Sequence, residues 1–184
     1  MRLPRTIQLD PSDKVVFAHA AAPGEWAVTG TFLFWGRPPE SLSRKEAIAF
    51  RSGFLGVESF GHSTLVTVQD ATPAERDALI EALARQLVAF LGAPGVEVAR
   101  PAAQEEVALA ASLCADHPLN TLIALHRRHE SGAIREQFRT LKPRDATAFS
   151  ASHLQGHDRA FHFVEETADS PEDHLDIFAL REKE

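Results

Sequence analysis

The stretch "NTLIALHRRHESGAIREQFRTL", Asn120 to Leu141, constrains the fold more than any other, because its central "ESGA" is a turn between two runs that can each be a strand. A tight turn joins neighbouring antiparallel strands, whereas parallel strands need a long crossover. The chain therefore needs an antiparallel sheet. Three further stretches read as its strands. "EWAVTGTFLFW", Glu25 to Trp35, alternates like a central strand, with Trp26, Val28, Phe32 and Phe34 on one face. On the other face Leu33 and Trp35 need a cover, either a helix or a second subunit, and are the candidate interface residues. "FLGVESFGHSTLVTVQ" reads as a bent strand or hairpin, and "RAFHFVEE" as a strand, while "HLDIFALREK" is a further candidate.

Helices fill the gaps. "SRKE" at Ser43 to Glu46 and "TPAE" at Thr72 to Glu75 are capping boxes, in which a hydroxyl and a glutamate reciprocally satisfy the first free amides. After the second, Leu79, Leu83, Leu87, Phe90 and Leu91 form an apolar stripe that should end at Gly92. A third helix is expected from about Pro101 to Ala115, its Ala108, Ala110, Ala111 and Ala115 permitting close approach of a neighbour. The sum is an α+β fold, an antiparallel sheet of about five to seven strands with two or three helices packed on one face. At 184 residues, 44% of them hydrophobic, one domain spanning 1–184 is expected, with an acidic C-terminal segment, 167–184, docked or swapped.

A net charge of −7 argues against nucleic acid or an anionic membrane as the main partner. "MRLPRTIQLDPSDKVV" has no apolar core of an export signal, and the apolar run from Ala78 to Leu91 is interrupted by Glu81, Arg85 and Gln86. A cytoplasmic protein is expected. Cys114 is the single cysteine, which excludes an internal disulfide and an all-thiolate metal site, and no tyrosine exists to act as acid or base.

"HLQGHDRAFH" gathers His153, His157, Asp158 and His162, the one candidate metal set. Gly156 breaks the helix that would align His153 with His157, and strand alternation turns His162 away from Phe161 and Phe163, so no metal or other cofactor is expected. His126 and His129 fail similarly, because residues three apart on a strand face opposite sides. The glycines of "SGFLGVESFGHST" lack the lysine and hydroxyl that complete a phosphate loop, and "GHSTL" lacks the second glycine of a nucleophile elbow. Cys114, near Asp116 and His117, reads as a small core residue before it reads as a nucleophile. A charge asymmetry has more substance. His126 to Arg144 holds six basic and two acidic residues, and Asp158 to Glu184 nine acidic and three basic. Arg127, Arg128, Arg135 and Arg139 are the candidate ligand-binding residues for a carboxylate or phosphate. The acidic C-terminal segment is an internal candidate for the same role.

"LPRTIQLDPSD", "PGEWAVTGTF", "FRSGFLG" with "STLV", and "HESGAIREQFRTL" together resemble a small family of uncharacterised bacterial proteins, a domain of unknown function, over about the first four-fifths of the chain. That family has no established activity, so the resemblance transfers no site residue. It implies an accessory protein linked to molybdenum-enzyme maturation. The resulting expectation is a non-catalytic, cytoplasmic accessory or interaction protein that self-associates and takes a protein partner. The alternatives are a metal-dependent hydrolase using His153, His157, Asp158 and His162, and a binding protein for a small acidic ligand.

Overall fold

A computed structural model describes residues 1–143 and 163–166. In chain order its elements are β1 (Arg2–Ile7), α1 (Ser12–Val16), β2 (Ala27–Val28), α2 (Arg44–Ser52), β3 (Phe54–Gly56), β4 (His62–Ser63), β5 (Leu65–Asp70), α3 (Pro73–Leu91), α4 (Val96–Ala115), β6 (Leu122–Glu130), β7 (Ala133–Pro143) and β8 (Phe163–Glu166). Turns of 3-10 helix lie at Thr31–Phe34 and Pro39–Ser41. The fold is α+β. Its main sheet has five strands in the order β1-β5-β6-β7-β8, every neighbour antiparallel, and β2-β3-β4 form a smaller sheet.

The expected hairpin is present as β6 and β7. Ser131 and Gly132 take φ of 52° and 83°, the two positive values that a two-residue type I′ turn demands, and glycine accepts the second without strain. Both capping boxes form, Ser43 with Glu46 and Thr72 with Glu75, and α3 ends at Gly92 in the left-handed conformation. Leu79, Leu83 and Leu87 are buried as the stripe predicts, whereas Phe90 and Leu91 point largely to solvent. Helix α4 begins about a turn earlier than expected, at Val96, with Pro101 inside it. It packs on α3 through Ala99, Ala103, Val107 and Ala110, and presents Cys114 to Val66, Val68, Ile123 and Leu125 of the sheet. Strand β1 is not visible in the alternation pattern, because Arg2, Pro4 and Arg5 interrupt it. At the sheet edge, however, a proline costs no ladder hydrogen bond on its outer side.

One expectation is corrected. The segment Glu25 to Trp35 is not a long central strand, and its pairing stops at Val28. Gly30 turns left-handed at φ 75°, a Cβ there would lie 2.6 Å from that of Leu55, and the chain winds into the 3-10 turn Thr31–Phe34. The turn leaves Phe34 in the core beside Phe17 and Phe50, and Leu33 half-buried.

Candidate functional site

Strand alternation divides the hairpin into two unlike faces. Inward, the register sets Leu125 opposite Phe138, Arg127 opposite Glu136, and His129 opposite Ile134. Arg127 is 1% exposed and Glu136 2%. Burying an unpaired guanidinium costs several kcal/mol, roughly, so its donors must be satisfied. They are. Nε donates to Glu136 Oε1 at 2.7 Å and to Thr31 Oγ1 at 2.8 Å. Nη1 donates to the carbonyls of Phe50 and Gly53, each at 3.0 Å, with Ala49 at 3.5 Å, and Nη2 donates to the carbonyl of Thr29. Thr31 in turn donates to Glu136 Oε1. The break in the expected strand therefore has a chemical purpose: it turns the Thr29 carbonyl and the Thr31 hydroxyl onto Arg127. Arg127 ties the C-terminal end of α2, this turn and the hairpin into one body.

A second carboxylate faces the same cation. Glu106 of α4 accepts from Thr29 Oγ1 at 3.5 Å, and its carboxyl is pushed up to about 7, first by burial and then by the charge of Glu136, with Arg127 and Thr29 opposing. Burial pulls Arg127 down, and Glu136 opposes the shift. Glu136 Oε2 is buried without a hydrogen-bond partner among the described residues. The cluster thus sets two carboxyl groups, Glu136 and Glu106, against one guanidinium. His62 lies beyond it against Phe17 and Phe34, held down to about 4 by burial and then by Arg127 and His19. It stays neutral. His129 stacks on Phe50 with centroids 4.5 Å apart.

Outward, the same strands carry His126, Arg128, Arg135, Gln137 and Arg139. Arg128 lies directly opposite Arg135, and His126 opposite Gln137. Glu130 lies between the two arginines, 3.1 Å from Arg128 Nη2 and 3.8 Å from Arg135 Nε. His126 is exposed, yet its imidazolium is disfavoured, first by desolvation and then by Arg139, Arg51 and Arg128. Arg51, exposed at the end of α2, thus joins the field of the hairpin. Neither Arg135 nor Arg139 is a free cation. The four arginines singled out by sequence are consequently not one set: Arg128, Arg135 and Arg139 share a face, and Arg127 lies on the other with its donors satisfied.

His153, His157, Asp158 and His162 lie outside the described residues, as does the acidic segment 167–184. Among the described residues no three His, Cys, Asp or Glu side chains come together as a metal site. Trp35 is half-exposed beyond the 3-10 turn. Cys114 is fully buried and its thiol is pushed up to about 12 by burial, so it is no nucleophile near neutral pH. At the glycine-containing loop a carboxylate does occupy the backbone donors, but it belongs to Glu25, which accepts from Ser59 N at 2.8 Å and Ala22 N at 2.7 Å. An open groove of about 520 Å³ lies between Arg2, Asp70 and α4, and Arg2 there caps α4 by donating to the carbonyls of Ala115 and His117. Glu106, Thr29, Thr31 and Arg51 were not anticipated. Glu106 alone had a signal, an acidic residue on the helical stripe Ala99, Ala103, Ala110, Cys114.

Fold and site together define an α+β protein with a two-faced arginine hairpin, one face sealed into the core by carboxylates and one basic and outward. The family model of unknown function DUF6505 matches residues 1–158, and the chain belongs to that family. No curated protein and no solved structure matches. The matched region ends short of β8 and of the acidic segment.

Proposed function

We propose that the chain is a non-catalytic accessory protein that recognises an acidic protein partner through the outward face of the β6–β7 hairpin. The observation that carries this reading is the placement of Arg128 directly opposite Arg135, with Arg139 and His126 on the same face and Arg51 beside it. Like charges facing each other across a strand pair destabilise it, by about 0.2–1 kcal/mol, and Glu130 bridges the two. A chain of net charge −7 that nevertheless gathers arginines on one face has an anionic surface to meet there. The inward residues support the same reading from the other side, since Arg127 and Glu136 are occupied in holding the hairpin rigid and present no group to a substrate. Cross-linking the full chain in its native host, compared with an Arg51→Glu/Arg128→Glu variant, tests it. The expected result is a partner whose cross-links map to α2 and the hairpin and vanish in the variant. Cross-links that map elsewhere, or that survive charge reversal, refute the reading.

A further inference from the structure

We propose that Glu106 of α4 is a proton-operated latch: protonated, it donates to Glu136 Oε2, directly or through one bound water, and fastens α4 to the β6–β7 hairpin, and on losing that proton it lets α4 go. The inference does not depend on the reading of the outward face. It begins with a count of donors. Glu136 is 2% exposed, and a carboxylate so deeply buried needs donors at both oxygens. Arg127 Nε and the Thr31 hydroxyl both serve Oε1. Oε2 is buried without a hydrogen-bond partner among the described residues. An orphaned buried acceptor calls for a donor.

The neighbours decide which group can supply it. The Thr29 and Thr31 hydroxyls, 3.4 Å apart, lie in a row between the two carboxyls, Thr31 donating to Glu136 and Thr29 to Glu106 Oε2 at 3.5 Å. Each hydroxyl has one proton, so both are engaged by that row. Ionised, Glu106 is an acceptor only; protonated, it gains the O–H that the cluster lacks. The site favours that form, because burial and then the charge of Glu136 push the Glu106 carboxyl up to about 7, with Arg127 and Thr29 opposing. Charged groups on the other elements packed against α4 are engaged elsewhere. On α3, Glu81 pairs with Arg100 at 2.6 Å. On β1, Arg2 donates to the carbonyls of Ala115 and His117, and Arg5 pairs with Glu75. β2 brings only Ala27 and Val28. Glu105, exposed beside Glu106 on α4, adds to the upward push. His62 faces Arg127 from β4, but it is held down to about 4 and does not titrate near neutrality. The sign follows: the latch is closed where the proton is bound, loosens above 4.5, and is released as pH rises through about 7. Glu106 is half-buried, so protons from solvent reach it.

Two measurements on the full chain test the latch. Isotope-labelled glutamate carboxyl carbons, followed by NMR, should show Glu106 titrating near neutrality with the Glu136 signal moving in the same step. Titration of Glu106 in the ordinary carboxylate range, or a Glu136 signal that stays still, would overturn the proposal. Hydrogen exchange, read as protection factors so that the base-catalysed chemical rate is divided out, reports the opening itself. From about pH 5 to about pH 8 the wild type should lose about tenfold in protection along α4 and at the facing amides of β7. Glu106→Gln, whose amide is a permanent donor, should stay protected at both. Glu106→Ala, with neither donor nor charge, should be as poorly protected at both as the wild type is at the higher pH. Protection of Glu106→Ala equal to that of Glu106→Gln would reduce the effect to removal of a charge and sink the latch, and opening of Glu106→Gln in step with the wild type would assign the switch to another group. Should Glu106→Ala not fold, the wild-type titration and Glu106→Gln decide the matter.

Discussion

Replacing Arg127 separates two accounts of the buried network. If Arg127 mattered only as the counterion of Glu136, removing both charges together would restore stability, because well-packed apolar replacements of a buried ion pair are often neutral. The structure assigns it more than that. Besides Glu136 and Thr31, its guanidinium donates to the carbonyls of Thr29, Phe50 and Gly53, with Ala49 at the limit. An orphaned buried acceptor costs about 1–3 kcal/mol. The Arg127→Met variant should therefore lose about 3–5 kcal/mol from the abandoned Glu136 charge alone, and further stability from the carbonyls, much of the total that a domain of this size possesses. The Arg127→Met/Glu136→Leu double variant should recover the charge term and remain at least about 3 kcal/mol below wild type, because the carbonyls keep no donor. Urea unfolding of the full chain, followed by tryptophan fluorescence, gives the comparison. A double variant within about 1 kcal/mol of wild type would refute the view that Arg127 staples α2 and the 3-10 turn to the hairpin.

Glu106 has its folded-state carboxyl raised from 4.5 to about 7, so its protonated form is favoured by folding: the contribution is complete below pH 4.5 and is lost as pH rises through 7, by at most about 3 kcal/mol and less for a half-buried residue. Wild type should lose stability relative to Glu106→Gln over that window, and parallel profiles would refute the assignment. Cys114 should resist iodoacetamide at pH 8 in the folded chain and react once unfolded, with prompt native-state labelling as the contrary result. Trp35, half-exposed, should support self-association that Trp35→Asp abolishes in sedimentation, and an unchanged oligomer in a folded variant would move the interface elsewhere. Protein purified without a metal-affinity step should carry only substoichiometric metal, and a full equivalent lost in His153→Ala/His157→Ala would favour the hydrolase.

Local chemistry made much of this fold legible. The hairpin, both capping boxes and the stop at Gly92 each follow from interactions within a few residues, and each is where the sequence places it. The long strand failed for a non-local reason. In Glu25 to Trp35 the alternation satisfies strand periodicity, yet Gly30 cannot carry a Cβ against Leu55, and the carbonyl of Thr29 is required by a guanidinium 98 residues away in sequence. Periodicity reports what a segment prefers on its own, and a buried cation with several donors overrides that preference.

The two neighbouring arginines show how far a pattern reaches. Arg127 and Arg128 are chemically identical, and alternation correctly assigns them to opposite faces. It does not say which face is interior, because an arginine is an improbable core residue and both faces of the hairpin carry them. What decides the matter is the partner inventory. Among the described residues only the inward side offers a carboxylate across the strand at Glu136, a hydroxyl at Thr31 and the carbonyls left over where α2 ends, enough acceptors to offset desolvating a guanidinium. On the outward side Arg128 lies opposite Arg135 and shares Glu130 with it. Within one hairpin, the acceptors that surround Arg127 separate the arginine that builds the fold from those on the outward face.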